Sequence, residues 1–164
     1  MGTILTLAGA IAWRQTQAVT GRTVVLTNGH FDLLHVGHAR YLQAARALGD
    51  ALIVGVNSDA STRARKPGRP IVPQDERAEL LAALGCVDVV VVFDDVTANA
   101  LVAALRPDIY AKGGDWSRPD GPRPPEAEIV TGYGGRVVYL PFIPERSTTA
   151  LIEKIADLGL RSVE

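Results

Sequence analysis

Short runs of apolar, mostly β-branched residues alternate along the chain with longer segments rich in Ala, Leu, Arg and Glu. The apolar runs are hydrophobic at successive positions, which is typical of strands that are buried on both faces. This pattern predicts five strands, at 23–26, 52–56, 87–93, 109–111 and 137–140. The segments between and after them predict five helices, at 36–48, 74–84, 97–105, 125–133 and 147–158.

Strands alternating with helices predict a Rossmann-like, doubly wound α/β fold, in which helices cover both faces of a parallel sheet. The 164 residues are enough for one domain with a substantial core. We therefore expect a single domain over 1–164, with its core at about 21–155 and a helical extension at 1–20. Ligands bind such sheets beyond the carboxyl ends of the strands, so a site is expected in the loops 27–35, 57–73, 112–124 and 141–146.

All three histidines lie within nine residues, in the segment TNGHFDLLHVGH that follows the first predicted strand. His35 and His38 are three residues apart, so on the first turn of a helix they share one face. Gly37 between them allows a ligand to approach the backbone closely. The positive end of that helix favours a phosphate, to which imidazoles can donate hydrogen bonds. A tight turn and polar groups complete this predicted phosphate site, at Thr27, Asn28, Gly29 and His30.

Two other interpretations of the histidines stay open. The cluster is compatible with a zinc site, but zinc would need a fourth ligand or a water, and the loop supplies only Asp32. The three side chains are also compatible with a fortuitous surface cluster. We expect no metal ion held by the protein alone.

A basic segment follows the second predicted strand and has no acidic residue between Asp59 and Asp75. It faces the same edge of the sheet as the histidines. By itself it would be interpreted as a solvated loop, but beside a phosphate site its cations predict charge-assisted phosphate contacts. Arg77, on the next helix, either adds a contact or pairs with Asp75 or Glu76. The four cations of the segment are Arg63, Arg65, Lys66 and Arg69.

Two further segments are expected at this edge of the sheet. The last predicted helix opens with ERSTT, in which Ser147 is a predicted N-cap. With Arg146, Thr148 and Thr149 it forms a helix N-terminus suited to a second phosphate group. The other segment, KGGDW, combines glycines for close backbone approach with an acid for a ribose hydroxyl and an aromatic ring for a base; its candidate residues are Lys112, Gly114, Asp115 and Trp116.

The composition excludes several classes of partner. Seventeen basic and eighteen acidic residues give a formal charge of −1, which provides no field for attracting nucleic acid or an anionic membrane. The single cysteine, Cys86, lies in an apolar stretch and is expected to be a buried thiol. No apolar run approaches the ~20 residues of a membrane span, and the start of the chain lacks a basic leader. We expect a cytoplasmic protein with no nucleic-acid or membrane partner.

The segment TNGHFDLLHVGH, with HVGH at its end, resembles the HxGH signature of the cytidylyltransferase-like nucleotidyltransferases. The resemblance covers about 21–155 and includes NSDAS, GRPIVPQDER, AKGGDW and STT in the expected order. The chain is most similar to the D-glycero-β-D-manno-heptose 1-phosphate adenylyltransferase family. Glycerol-3-phosphate cytidylyltransferases come next, but they have RTEGISTT where this chain has FIPERSTT, with Phe142 in place of the arginine. His30 also differs from the small residue or cysteine common in these families.

This resemblance implies an enzyme that transfers AMP from ATP to heptose 1-phosphate, releasing pyrophosphate and giving ADP-heptose. Cytidylyl transfer from CTP to glycerol 3-phosphate, or to another polyol or sugar phosphate, is the alternative reaction. A nucleotide-sensing module without catalysis is the alternative outside enzymes. Apolar faces on several helices are compatible with a homodimer.

The resemblance also implies roles for the candidate residues. His35, His38 and Lys66 would be catalytic, with Arg63 or Arg65 neutralising phosphate charge beside Lys66. The backbone at His30 and Phe31 would line the nucleotide, Arg146 to Thr149 would hold the triphosphate, and Lys112, Asp115 and Trp116 would flank the nucleoside. A Mg²⁺ ion bridging phosphate oxygens is expected, held mostly by substrate and water.

Overall fold

The computed structural model describes residues 1–113, 116, 123–141 and 147–161. Among these residues there are six strands: β1 (Thr3–Ile4), β2 (Val24–Gly29), β3 (Ala51–Asn57), β4 (Val89–Phe93), β5 (Ile109–Lys112) and β6 (Arg136–Tyr139). The helices are α1 (Leu7–Val19), α2 (Val36–Arg46), α3 (Asp59–Arg65), α4 (Gln74–Ala82), α5 (Asn99–Leu105), α6 (Glu126–Gly132) and α7 (Thr148–Arg161).

The strands form one parallel sheet in the order β1-β4-β3-β2-β5-β6. From β2 the chain moves outward through β3 to β4, and then returns to place β5 on the other side of β2. The topological switch point therefore lies between β2 and β5, which pair at Val25↔Ile109 and Leu26↔Tyr110. A ligand site is expected beyond the carboxyl ends of these two strands.

Successive residues of each strand enter two different cores, because side chains alternate between the faces of a sheet. On one face, Val25 and Val54 pack with Leu42 of α2 and Leu81 of α4. On the other face, Leu26 and Ile53 pack with side chains of α1, α5 and α6, among them Ala10, Leu101 and Val130. Burial on both faces explains why the strands are apolar at consecutive positions.

The doubly wound parallel sheet predicted from the sequence is confirmed. All five predicted strands and five predicted helices are present, and their ends differ from the predicted ones by at most three residues. The largest change for the site is at β2, which continues to Gly29. Residues 27–29 were predicted as loop, but they pair with 54–56 of β3.

Two parts of the chain hold elements that the sequence analysis missed. The predicted loop 57–73 contains α3, whose N-cap Ser58 accepts a hydrogen bond from the Ser61 N–H (3.2 Å). Within the predicted helical extension at 1–20, α1 is preceded by β1, which pairs with β4 at the edge of the sheet. In the part of the chain described here, no helix has the length and apolar character needed to cross a membrane.

Substituting Gly49, in the turn between α2 and β3, tests how tightly this turn packs against β2. A Cβ at this position would lie 2.8 Å from the Thr23 carbonyl oxygen and 2.9 Å from Val25 Cγ2. That carbonyl accepts the Asp50 and Ala51 N–H groups at the start of β3. Because backbone would have to move, we expect Gly49→Ala to lower the free energy of unfolding by roughly 1–3 kcal/mol in urea titrations.

Gly85→Ala is the matched control, since a Cβ there meets no atom within 4 Å. Its free energy of unfolding should stay within about 0.5 kcal/mol of the parent value. Equal stability of the two variants would contradict the packing seen at Gly49.

Candidate functional site

A cleft of about 320 Å³ opens at the switch point, beyond the carboxyl ends of β2 and β5. Its walls come from the end of β2, the start of α2, the end of α3, the end of β5 and the start of α7. Thirteen residues predicted for the site line it: Asn28, Gly29, His30, Phe31, His35, Gly37, His38, Lys66, Lys112, Trp116, Ser147, Thr148 and Thr149.

His35 and His38 face each other at the start of α2. His35 is the N-cap residue, and the His38 N–H donates to the His35 carbonyl (2.9 Å). The two imidazole rings stack with centroids 3.9 Å apart and an angle of 24° between their planes. The predicted shared face is therefore observed, at a helix N-terminus whose positive end favours an anion.

Burial keeps two of the histidines neutral at pH 7. The pKa of His38 is lowered to about 4, mainly by burial and secondly by the neighbouring His35, against a backbone hydrogen bond at Leu33. The pKa of His30 is also lowered to about 4, first by burial and then by the positive charges of Lys66 and nearby arginines. A neutral imidazole still has one N–H to donate to a phosphate oxygen.

The turn from β2 toward α2 is sharp. Phe31 has a φ of +47°, in the left-handed region of backbone conformation that residues other than glycine rarely adopt. Its ring is buried, and it packs edge-on against His38 with centroids 5.4 Å apart. This unfavourable backbone conformation at the mouth of a cleft is typical of functional sites.

Asp32 anchors the loop that follows α3. Its carboxylate accepts hydrogen bonds from Arg69 Nε (2.6 Å) and from the N–H groups of Ile71 (2.8 Å) and Val72 (3.0 Å). These contacts occupy the only acid that the sequence offered to a zinc site. Among the described residues, no three His, Cys, Asp or Glu side chains are grouped so as to hold a metal ion.

The four cations of the basic segment do not all lie at the cleft. Lys66, at the C-terminal end of α3, lines the cleft. Arg69 lines an adjoining pocket of about 140 Å³ that shares His30, His38 and Lys66 with the cleft. Arg63 and Arg65 lie on α3 with exposed side chains, and neither lines the cleft. Arg65 donates instead to the Val96 carbonyl (3.3 Å).

Arg77 was predicted to contact a substrate phosphate, but its side chain is fully buried and does not line the cleft. It donates to the carbonyls of Val72 (2.9 Å), Asn57 (2.9 Å) and His30, and pairs with Asp59 (2.8 Å). The expected partners Asp75 and Glu76 are not used. Arg77 therefore positions the backbone around the cleft.

The floor of the cleft is a buried polar network. Asn28 Oδ1 accepts hydrogen bonds from the Tyr110 hydroxyl (2.6 Å) and from Lys112 Nζ (2.8 Å). Lys112 also lies 5.8 Å from the centre of the Trp116 ring. Thr27 is buried behind this floor and does not line the cleft; its hydroxyl is 2.7 Å from that of Tyr41.

The start of α7 closes one side of the cleft. Ser147 acts as the predicted N-cap, since its Oγ accepts the Ala150 N–H (3.1 Å). The Thr148 hydroxyl donates to the Leu33 carbonyl (3.4 Å), which ties α7 to the histidine loop. Three predicted site residues, Gly114, Asp115 and Arg146, lie outside the described residues.

Tyr41 also lines the cleft, although it was not predicted from the sequence. Its hydroxyl donates to the Ala111 carbonyl (3.1 Å). Burial raises the pKa of Tyr41 to about 12, so the hydroxyl stays protonated. The spacing of His35, His38 and Tyr41, three residues apart each time, is the signal that would have found it.

A larger recess, of about 640 Å³, lies at the opposite edge of the sheet, near the amino ends of β2, β5 and β6. It contains none of the predicted site residues, and its Arg14 is paired with Asp108 (3.0 Å). The histidines and Lys66 converge on the other edge. We therefore take the cleft at the switch point as the candidate active site.

Known proteins resemble this chain over most of its length. Bifunctional protein HldE of Syntrophotalea carbinolica is 54% identical over 142 residues, which cover 84% of this chain and 28% of that protein. HldE of Streptomyces coelicolor is 51% identical, covering 82% of this chain and 29% of that protein. The chain thus spans less than a third of the length of these relatives. A lipopolysaccharide core biosynthesis protein of Thermoplasma volcanium has a similar solved structure, with a TM-score of 0.59 and 28% identity over 75% of this chain and 98% of that one.

The profile of the Cytidylyltransferase-like family matches residues 26–153. This range runs from the middle of β2 into α7, so it includes every described wall of the cleft. The fold and the position of the stacked histidines agree with that match, and the chain belongs to the cytidylyltransferase-like family.

Proposed function

We propose that this chain is an adenylyltransferase that joins AMP from ATP to D-glycero-β-D-manno-heptose 1-phosphate, releasing pyrophosphate and forming ADP-heptose. The observation that carries the proposal is the stacked pair His35 and His38 at the N-terminus of α2, at the switch point of a cytidylyltransferase-like fold. Identity above 50% to HldE proteins over most of the chain supports the same assignment.

In the proposed reaction, a phosphate oxygen of the sugar phosphate attacks the α-phosphorus of ATP. A new phosphorus–oxygen bond forms as the bond between the α-phosphorus and the bridging oxygen breaks, and pyrophosphate leaves with the electron pair. The protein mainly positions the reactants and stabilises charge. His35 and His38 would donate to oxygens of the transferring and leaving phosphates, where negative charge increases in the transition state.

The neutral state of His38 in the empty cleft suits this role. In the empty cleft the pKa of His38 is about 4. A bound triphosphate would raise the pKa of His38, because opposite charge favours the protonated form. The ability of this imidazole to donate hydrogen bonds would therefore increase when the substrate binds.

Cations at the two ends of the cleft would bind different parts of the two substrates. Lys66 lines both the cleft and the adjoining pocket, which supports a role for it in contacting the reacting phosphates of both substrates. Arg69 and Thr62 line only the adjoining pocket, which suits the phosphorylated acceptor. At the other end, Lys112 and Trp116 would flank the nucleoside, and the opening residues of α7 would hold the triphosphate.

The triphosphate would enter as its magnesium complex. Among the described residues no carboxylate lines the cleft, and the nearby carboxylate of Asp32 is occupied by three donors. Phosphate oxygens and water would therefore supply the magnesium ligands.

A matrix of substrates tests the proposed function. ATP and CTP are each mixed with heptose 1-phosphate or glycerol 3-phosphate, and pyrophosphate release is measured. We expect release with ATP and heptose 1-phosphate. Release only with CTP and glycerol 3-phosphate would identify a cytidylyltransferase instead. Tight ATP binding with no release from any pair would favour a nucleotide-sensing module.

We expect His38→Ala to lower turnover by at least about a hundredfold, the cost of losing one oriented donor to developing charge. The measurement is kcat for pyrophosphate release at saturating substrates, with thermal unfolding to verify the fold. Gln43→Ala, an exposed position on the same helix, is the control and should retain parental turnover. A folded His38→Ala enzyme with parental kcat would refute the catalytic assignment.

For Lys66→Ala we expect a fall in both ATP affinity and kcat, and a combined loss in kcat/KM of about tenfold or more, typical of a lost charge-assisted hydrogen bond. Steady-state kinetics with varied ATP separate the two effects. Arg40→Ala removes an exposed cation from α2 without touching the cleft, and it should leave both parameters unchanged. Equal kinetics for both variants would show that Lys66 is only a solvated side chain.

A further inference from the structure

Glu126 is a buried acid that has no part in the reaction as derived so far. It lies in the first turn of α6, and only 3% of the residue is exposed. One carboxylate oxygen, Oε1, accepts the Ala98 N–H (2.8 Å) next to the start of α5. The other oxygen, Oε2, is also buried, and the described residues give it no hydrogen bond. A buried carboxylate is costly unless a cation compensates it.

That cation is Lys112, which lines the floor of the cleft. Its Nζ lies 4.0 Å from Glu126 Oε2 and 2.8 Å from Asn28 Oδ1. The side chains of Lys112 and Glu126 are only 11% and 4% exposed. Lys112 lines the cleft and Glu126 does not. The carboxylate therefore contacts the ammonium from the protein interior.

We infer that Glu126 is a positioning residue for the nucleotide site: its buried carboxylate holds the Lys112 ammonium against Asn28, charged and facing the cleft. The role in nucleotide binding rests on the proposed function, but the pairing of Glu126 with Lys112 does not. A purely structural alternative is that Glu126 only ties α6 to α5 through the Ala98 N–H.

The groups around Lys112 explain why the carboxylate is needed. Burial lowers the pKa of Lys112, and Arg65 lowers it further, while Glu126 raises it. The Tyr110 and Trp116 rings lie 5.2 and 5.8 Å from Nζ and also favour the cation. Of these neighbours, Glu126 alone carries a full negative charge. Without it, the lysine would lose its proton at a lower pH.

Glu126→Gln separates the two roles. The amide oxygen of glutamine can still accept the Ala98 N–H, but the negative charge beside Lys112 is removed. We expect titration of the Lys112 Cε signal by NMR to show a lower pKa in Glu126→Gln than in the parent protein. We also expect ATP affinity at pH 8 to fall about tenfold, as for a weakened charge-assisted contact, and its alkaline limb to move to lower pH.

Two further variants make the test specific. Glu128→Gln neutralises an exposed acid on the same helix and should change neither the titration nor the affinity. In a Lys112→Met background, Glu126→Gln should have no further effect on ATP affinity, because contacting residues that act as one unit are not additive. Additive effects, or a Lys112 titration that is the same in the parent and in Glu126→Gln, would overturn the inference.

The results that would refute the proposed function differ from those that would refute the role of Glu126. If the parent protein binds no nucleoside triphosphate and releases no pyrophosphate, the proposed function is refuted. The NMR titration, made on the free protein, would then still decide whether Glu126 controls Lys112. If ATP binds with the same affinity and pH profile in Glu126→Gln, the inference is refuted while the proposed function stands.

Discussion

One fully buried cation holds the edge of the sheet on which the cleft depends. The Arg77 guanidinium makes four hydrogen bonds, to backbone at His30, Asn57 and Val72 and to the Asp59 carboxylate. His30 directly follows β2, Asn57 is the last residue of β3, Asp59 opens α3, and Val72 lies just before α4. Because a buried guanidinium is stable only when its donors are satisfied, the four segments are held in one arrangement. The histidine turn and α3, whose C-cap is Lys66, are thereby positioned relative to each other.

The features that could be predicted are those determined by the pattern of residues close together in the sequence. Continuous apolar strands, helical spacing between them and the order of elements were enough to predict the parallel sheet, and the sheet then determines which loops meet. The stacked contact between His35 and His38 follows from a spacing of three residues at a helix start. The N-cap at Ser147 follows from side-chain chemistry within one turn. Each of these inferences needs only neighbours in sequence.

What could not be predicted depends on contacts between distant residues. The local sequence does not show that the Arg77 side chain is buried while that of Lys66 lines the cleft. The position of Arg77 depends on carbonyl acceptors about 20 and 47 positions away in the chain. Glu126 looks like an ordinary acid in a first helical turn. Its partner Lys112 is recognisable only once β5 and α6 have packed together. The helix α3 is different, because Ser58 followed by Asp59 is a local start signal.

The distribution of charge makes the empty cleft attractive to anions, although the chain as a whole is nearly neutral. Lys66 and Lys112 line it, and among the described residues no acid does. If His30 and His38 were also charged, they and the two lysines would place four cations in a small, partly buried volume. Burial and the neighbouring positive charges keep both imidazoles neutral at pH 7. A polyphosphate removes that repulsion because it supplies the missing negative charge. An uncharged sugar or a free nucleoside would not supply it, so in the proposed reaction these side chains would favour a ligand that carries a phosphate chain.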